Sequence, residues 1–85
     1  MTRDELRATT LATLGDIAPE ADLARLAPTA ELREALDLDS MDFLRLVQRL
    51  AVATGVEAPE SDYARLGTLA GCVDYLATSY SSSDG

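Results

Sequence analysis

The residues of this chain best suited to chemistry lie in one run, Leu36-Asp37-Leu38-Asp39-Ser40-Met41-Asp42-Phe43-Leu44. A serine stands there among acids, directly ahead of an apolar-periodic segment. Ser, Asp and Asn open helices because their side-chain oxygens accept the unpaired N–H groups of the first turn. Asp39 or Ser40 therefore caps a helix here, and either choice leaves the Ser40 hydroxyl at the helix mouth. Such an end carries partial positive charge and open N–H donors, so a phosphate attached there is electrostatically favoured. Paired acids such as Asp37 and Asp39 are suited to acid–base work, although a solvated loop at a helix entrance accounts for them more simply. A bare cap with no chemistry fits the same residues.

Beyond this run the catalytic inventory is thin. The chain has no His, no Lys and one Cys, which excludes Ser-His and Cys-His nucleophile pairs, Lys Schiff bases and ordinary zinc sites. The sequence reads as a non-enzyme with no metal site. Fifteen acids against seven arginines give a net charge of −8 over 85 residues. Phosphate binding needs clustered positive charge, so nucleic acid is a poor partner, as are anionic membranes. No run approaches the length of a membrane span and no signal-peptide pattern opens the chain. Lone Cys72 has no internal disulfide partner, and a cytoplasmic location is expected.

These groups must be positioned by helices. Apolar residues make up 47% and aromatics 5%, and a core of Leu, Val, Ile and Ala favours helix over sheet. Thr2 and Glu5 fit a capping box for a first helix running to about Leu14, with Leu6, Thr10, Leu11, Thr13 and Leu14 on one side and Gly15 as its stop. From Asp16 to Asp39 the period breaks at Pro19 and Pro28. Ile17, Leu23, Leu26, Leu32 and Leu36 recur there as anchors, and Thr29 to Arg33 fits one helical turn. The Ser40 helix runs to about Thr54, with Gly55 as its stop. Phe43, Leu46, Val47, Leu50 and Ala51 form its buried stripe. Met41, Leu44 and Gln48 fall beside Ser40 on another face, which is either a contact surface or apolar packing beneath the long loop. Ser61 to Leu66 forms a brief helix ended by Gly67. Thr68 caps a last helix whose Leu69, Cys72, Val73, Leu76 and Tyr80 share a side, with Cys72 buried and inert. Residues 81–85 read as a disordered tail.

The run around Ser40 closely resembles the Asp-Ser-Leu signature of acyl and peptidyl carrier proteins, with Met41 in place of the leucine. The resemblance extends over residues 2–80: a long first helix, a long loop, the Ser-headed helix, a short helix and a final helix. Pro59-Glu60-Ser61-Asp62-Tyr63 and Leu66-Gly67-Thr68-Leu69 also resemble that family's usual ending. The implied fold is all-α, a small four-helix carrier bundle of three main helices plus one short helix with a long first loop, occupying residues 1–80 as one domain.

The resemblance implies that 4'-phosphopantetheine is attached covalently to Ser40 by a phosphopantetheinyl transferase, with Asp39 helping to hold the transferase's metal. Docking is then expected to involve Met41, Asp42, Leu44, Arg45, Gln48 and Tyr63. Implied partners are an acyl- or aminoacyl-loading ligase and a downstream synthase or transferase, with the carrier itself a monomer. Two departures stand out. Where such carriers commonly place several acids along the Ser-headed helix, residues 41–54 hold one acid, Asp42, against Arg45 and Arg49, a net +1. Arg45, Ala51 and Val52 occupy places usual for Glu, which points to a specialised fatty-acid, polyketide or related pathway. Asp37 replaces a common Gly, and Asp tolerates the left-handed region that such a turn demands. An aminoacyl or peptidyl carrier fits the same residues, and so does an unmodified helical adaptor.

Overall fold

A computed structural model describes residues 1–82, with side chains through Ser79. The tail expected over residues 81–85 is shortened at its start, because the last helix continues through Ser82; residues 83–85 lie outside the described residues, as does the side chain of Tyr80. Three long helices form the body: α1 (Arg3–Ile17), α3 (Ser40–Thr54) and α4 (Leu69–Ser82), with a four-residue α2 (Leu32–Ala35) between the first two. Two 3-10 segments, Leu23–Arg25 and Glu60–Leu66, complete the set. The radius of gyration of 11.9 Å is that of a single folded unit of this length. The all-α expectation holds.

α1 begins with the expected capping box, in which Glu5 N donates to Thr2 Oγ1 at 3.1 Å and Thr2 N donates to Glu5 Oε1 at 2.9 Å. The Thr2 N–H first, and the Thr2 hydroxyl next, hold the Glu5 carboxyl below its usual range. Gly15 does not end the helix as its type predicts. α1 continues to Ile17 and stops at Ala18, whose N–H reaches Leu14 O at 2.7 Å. Pro19 disfavours helical backbone at the residue before it, and that is the local stop signal. The face of α1 that packs against α3 and α4 carries Leu6, Thr10, Thr13 and Leu14. Its buried threonines satisfy their hydroxyls on Leu6 O and Thr9 O, one turn back.

The long first loop is held by the apolar anchors that the sequence suggests. Leu32 is fully buried, and Ile17, Leu23, Leu26 and Leu36 pack half-buried against the core. Backbone bonds add a clamp: Leu32 N donates to Gly67 O at 2.8 Å, Ala70 N donates to Pro28 O at 2.9 Å, and Glu31 forms an isolated antiparallel bridge with Thr68. The clamp moves the expected helical turn downstream, from Thr29–Arg33 to Leu32–Ala35, because Glu31 is held in extended backbone.

α3 ends at Gly55, which takes the left-handed φ of 76°. Its buried positions are Leu46, Val47, Leu50 and Thr54, whereas Phe43 and Ala51 are only half-buried. Thr68 caps α4 by accepting from Gly71 N at 2.9 Å. Gly67 closes the 3-10 segment with an ordinary right-handed φ of −72°, so it is not a left-handed stop. Cys72 is fully buried, donates to Leu66 O at 3.2 Å, and burial pushes its thiol up to about 12. Tyr75 joins the core beside Leu69, Val73 and Leu76.

Candidate functional site

Asp39, not Ser40, caps α3. Its extended backbone (φ −86°, ψ −179°) turns the carboxylate back over the helix start, where Oδ1 accepts from Asp42 N at 2.8 Å. Ser40 is the first helical residue and is exposed. Its hydroxyl is therefore spared the capping role and stands at the open end of a 15-residue helix. First-turn N–H groups lack intrahelical partners, and the helix end adds roughly half a positive charge.

The chain arrives at this end through a tight reversal. After α2, Asp37 adopts a left-handed φ of 54°, and Leu38 N donates back to Arg33 O at 2.9 Å. This is a Schellman closure, with the left-handed residue just past the helix and an N–H returning to the third-last carbonyl. Leu38 and Leu32 are both buried in the core, which anchors the turn. Asp is one of the few non-Gly residues that occupies this region readily, so the turn forms without a glycine. One consequence is that Arg33 returns to Ser40, its Nη2 donating to Ser40 Oγ at 3.2 Å.

Beside Ser40 lies an open groove of about 620 Å³ between α3 and the 3-10 segment. Phe43, Leu44, Tyr63 and Ala64 supply its apolar wall, and Arg33, Glu31 and Glu60 its polar rim. The Phe43 and Tyr63 rings meet edge to face, 6.2 Å apart at 73°. The 3-10 segment is held in place by α4: Tyr75 Oη donates to Asp62 Oδ2 at 2.7 Å, and the Arg65 guanidinium lies 4.8 Å above the Tyr75 ring. The hydrogen bond to Asp62, then burial, raise the Tyr75 phenol above its usual value.

The expected site residues separate into three places. Ser40, Leu44 and Tyr63 converge on the groove. Met41, Arg45 and Gln48 lie exposed on the outer stripe of α3, with Met41 71% exposed. Val52, 89% exposed, extends that stripe. Asp42 is half-buried and lines a separate hollow of about 440 Å³ with Ile17, Pro19, Leu36 and Asp37. Sequence reasoning missed Arg33 and the groove role of Phe43. The signal for Arg33 was present in Asp37, since a left-handed residue there folds α2 back onto the serine.

The site fits a phosphopantetheine ester. It offers a solvent-open hydroxyl, a helix end that favours anions, a nearby guanidinium and room for a flexible chain. Residues 4–76 match the family model described as "Phosphopantetheine attachment site". A stretch of 55 residues is 34% identical to an acyl carrier protein of Rubrobacter xylanophilus, spanning 65% of this chain and 68% of that protein.

Proposed function

This chain belongs to the phosphopantetheine attachment-site family, and on that premise we propose that Ser40 is the residue that carries the 4'-phosphopantetheine arm. The arm's terminal thiol supplies the thioester that holds the cargo. Membership of this family makes the chain a carrier, with bond-making left to its partners. The observation that carries the assignment is the exposed Ser40 hydroxyl at the α3 start, released from capping by Asp39.

In the proposed modification, Ser40 Oγ forms a new bond to the pantetheine-side phosphorus of coenzyme A. The pyrophosphate P–O bond breaks, the adenosine half leaves with its phosphate, and the hydroxyl proton passes to the transferase. Asp39 Oδ1 is committed to Asp42 N, which leaves Oδ2 as the atom to meet the transferase's metal. Phosphopantetheinyl transferase and the enzymes that load and unload the thiol are the partners this reading requires. Among the described residues no helix is long and apolar enough to cross a membrane.

We assign the cargo to an acyl group of a specialised fatty-acid, polyketide or related pathway. The support is the net +1 on residues 41–54, which suits a dedicated loading enzyme better than one built for acid-lined carriers. The same feature suits an aminoacyl carrier charged by an adenylating ligase. Incubating the modified protein with ATP, the candidate ligase and a panel of amino acids, then weighing it intact, separates the two.

Co-expression with a broad-specificity phosphopantetheinyl transferase tests the central assignment. Wild type should gain one pantetheinyl mass and Ser40→Ala none. A wild type that stays unmodified, or a Ser40→Ala variant that still gains the mass, defeats the proposal and favours an unmodified adaptor or a different attachment residue.

A further inference from the structure

Arg33 is exposed and makes no salt bridge among the described residues, although Glu31 and Glu60 line the same groove. Its guanidinium instead meets a neutral hydroxyl, donating to Ser40 Oγ at 3.2 Å. The placement is built by the fold. The Asp37 turn and the Leu38-to-Arg33 backbone bond fix where α2 sits over the start of α3.

A phosphodiester on Ser40 Oγ brings one full negative charge to a groove that already holds Glu31 and Glu60, next in the chain to Asp39. The helix end offsets only about half a charge. A cationic side chain adds to that offset, and Arg33 already donates to Ser40 Oγ, the oxygen the ester would use. The guanidinium fork matches two oxygens on one phosphorus, a geometry that an ammonium does not offer. Resting on the reading of Ser40 as the attachment point, we infer that Arg33 holds the phosphodiester of the modified serine and fixes the root of the arm beside the groove. The unmodified Arg33–Ser40 contact is the prepositioned form of that clamp.

The test compares apo and holo forms of wild type, Arg33→Ala and Arg33→Lys by intact mass, thermal unfolding and 31P NMR. A purely structural arginine would shift apo and holo stability equally. A phosphate clamp makes the Tm gap between wild type and Arg33→Ala larger in the holo form, by about 3 °C or more, with the excess shrinking in about 0.5 M salt. The holo 31P resonance should move in Arg33→Ala, and less in Arg33→Lys. Equal gaps in apo and holo, with an unmoved 31P resonance, overturn the inference. Mass keeps the two readings apart: an unmodified wild type sinks the Ser40 assignment, whereas modified proteins with equal gaps sink the role of Arg33 alone.

Discussion

Asp39 and Ser40 divide two duties that either residue type is able to perform. A serine engaged as a cap would have its hydroxyl turned toward the second or third backbone N–H, away from an incoming enzyme. With Asp39 as the cap, through its 2.8 Å bond to Asp42 N, the nucleophilic oxygen is left outward. Removing a cap costs about 1 kcal/mol, which corresponds to several degrees in a domain of this size. Asp39→Ala should therefore lower the apo Tm by about 4–8 °C, while Ser40→Ala leaves it nearly unchanged. Thermal unfolding of the two variants side by side decides the matter, and a Ser40→Ala loss as large as that of Asp39→Ala would refute this division. The sequence left this point open because both types accept the same N–H groups. The backbone at Asp39 settles it. Cys72 was legible at this scale, since its place on the apolar stripe of the last helix announced a buried thiol.

Gly71 sets how closely the 3-10 segment approaches α4. A Cβ at that position would stand 2.2 Å from Arg65 O, a backbone atom with little freedom to retreat. Intrinsic propensity alone would make Gly71→Ala stabilising by about 1 kcal/mol. Over-packing a tight contact costs about 1–3 kcal/mol, and here the steric penalty should win. We expect a lowered Tm, with NMR shift changes concentrated in residues 60–71 and at Phe43, because the displaced segment carries Tyr63. A variant as stable as wild type would mean that the contact is loose. Local signals found the elements they control: the Thr2–Glu5 box, the Ser40 helix and the Gly55 stop all rest on residues within one or two turns. Non-local contacts hid the others. The position of α2 depends on pairing between Glu31 and Thr68, which lie far apart in the chain. Burial of Tyr75 depends on Asp62 receiving its hydroxyl, and helical period alone does not reveal such a partner.

Charge gives the whole molecule a two-sided character. The chain carries −8 overall, yet α3 presents Arg45 and Arg49 with the exposed apolar side chains Met41 and Val52. Arg49 is partly engaged, lying 3.6 Å from Asp16 in an exposed pair. Arg45 makes no salt bridge among the described residues, so its charge faces whatever docks on this stripe. Fatty-acid carriers resemble one another in setting acids here against basic enzyme patches, and a basic patch would meet Arg45 as a like charge. Mismatched charges at an interface suppress wrong partners and act largely on the encounter rate. Holo wild type should accordingly be loaded slowly by a housekeeping fatty-acid acyltransferase. Restoring acids in an Arg45→Glu, Val52→Glu double variant should speed that loading by about tenfold or more at low salt, and the gain should fade as ionic strength rises past the screening range. Both substitutions lie at exposed positions, so the fold should be unaffected, and intact mass confirms that each sample carries the arm before loading is compared. Equal loading of wild type and double variant at every salt concentration would show that α3 charge does not choose the partner, and the case for a dedicated pathway would lose its physical basis.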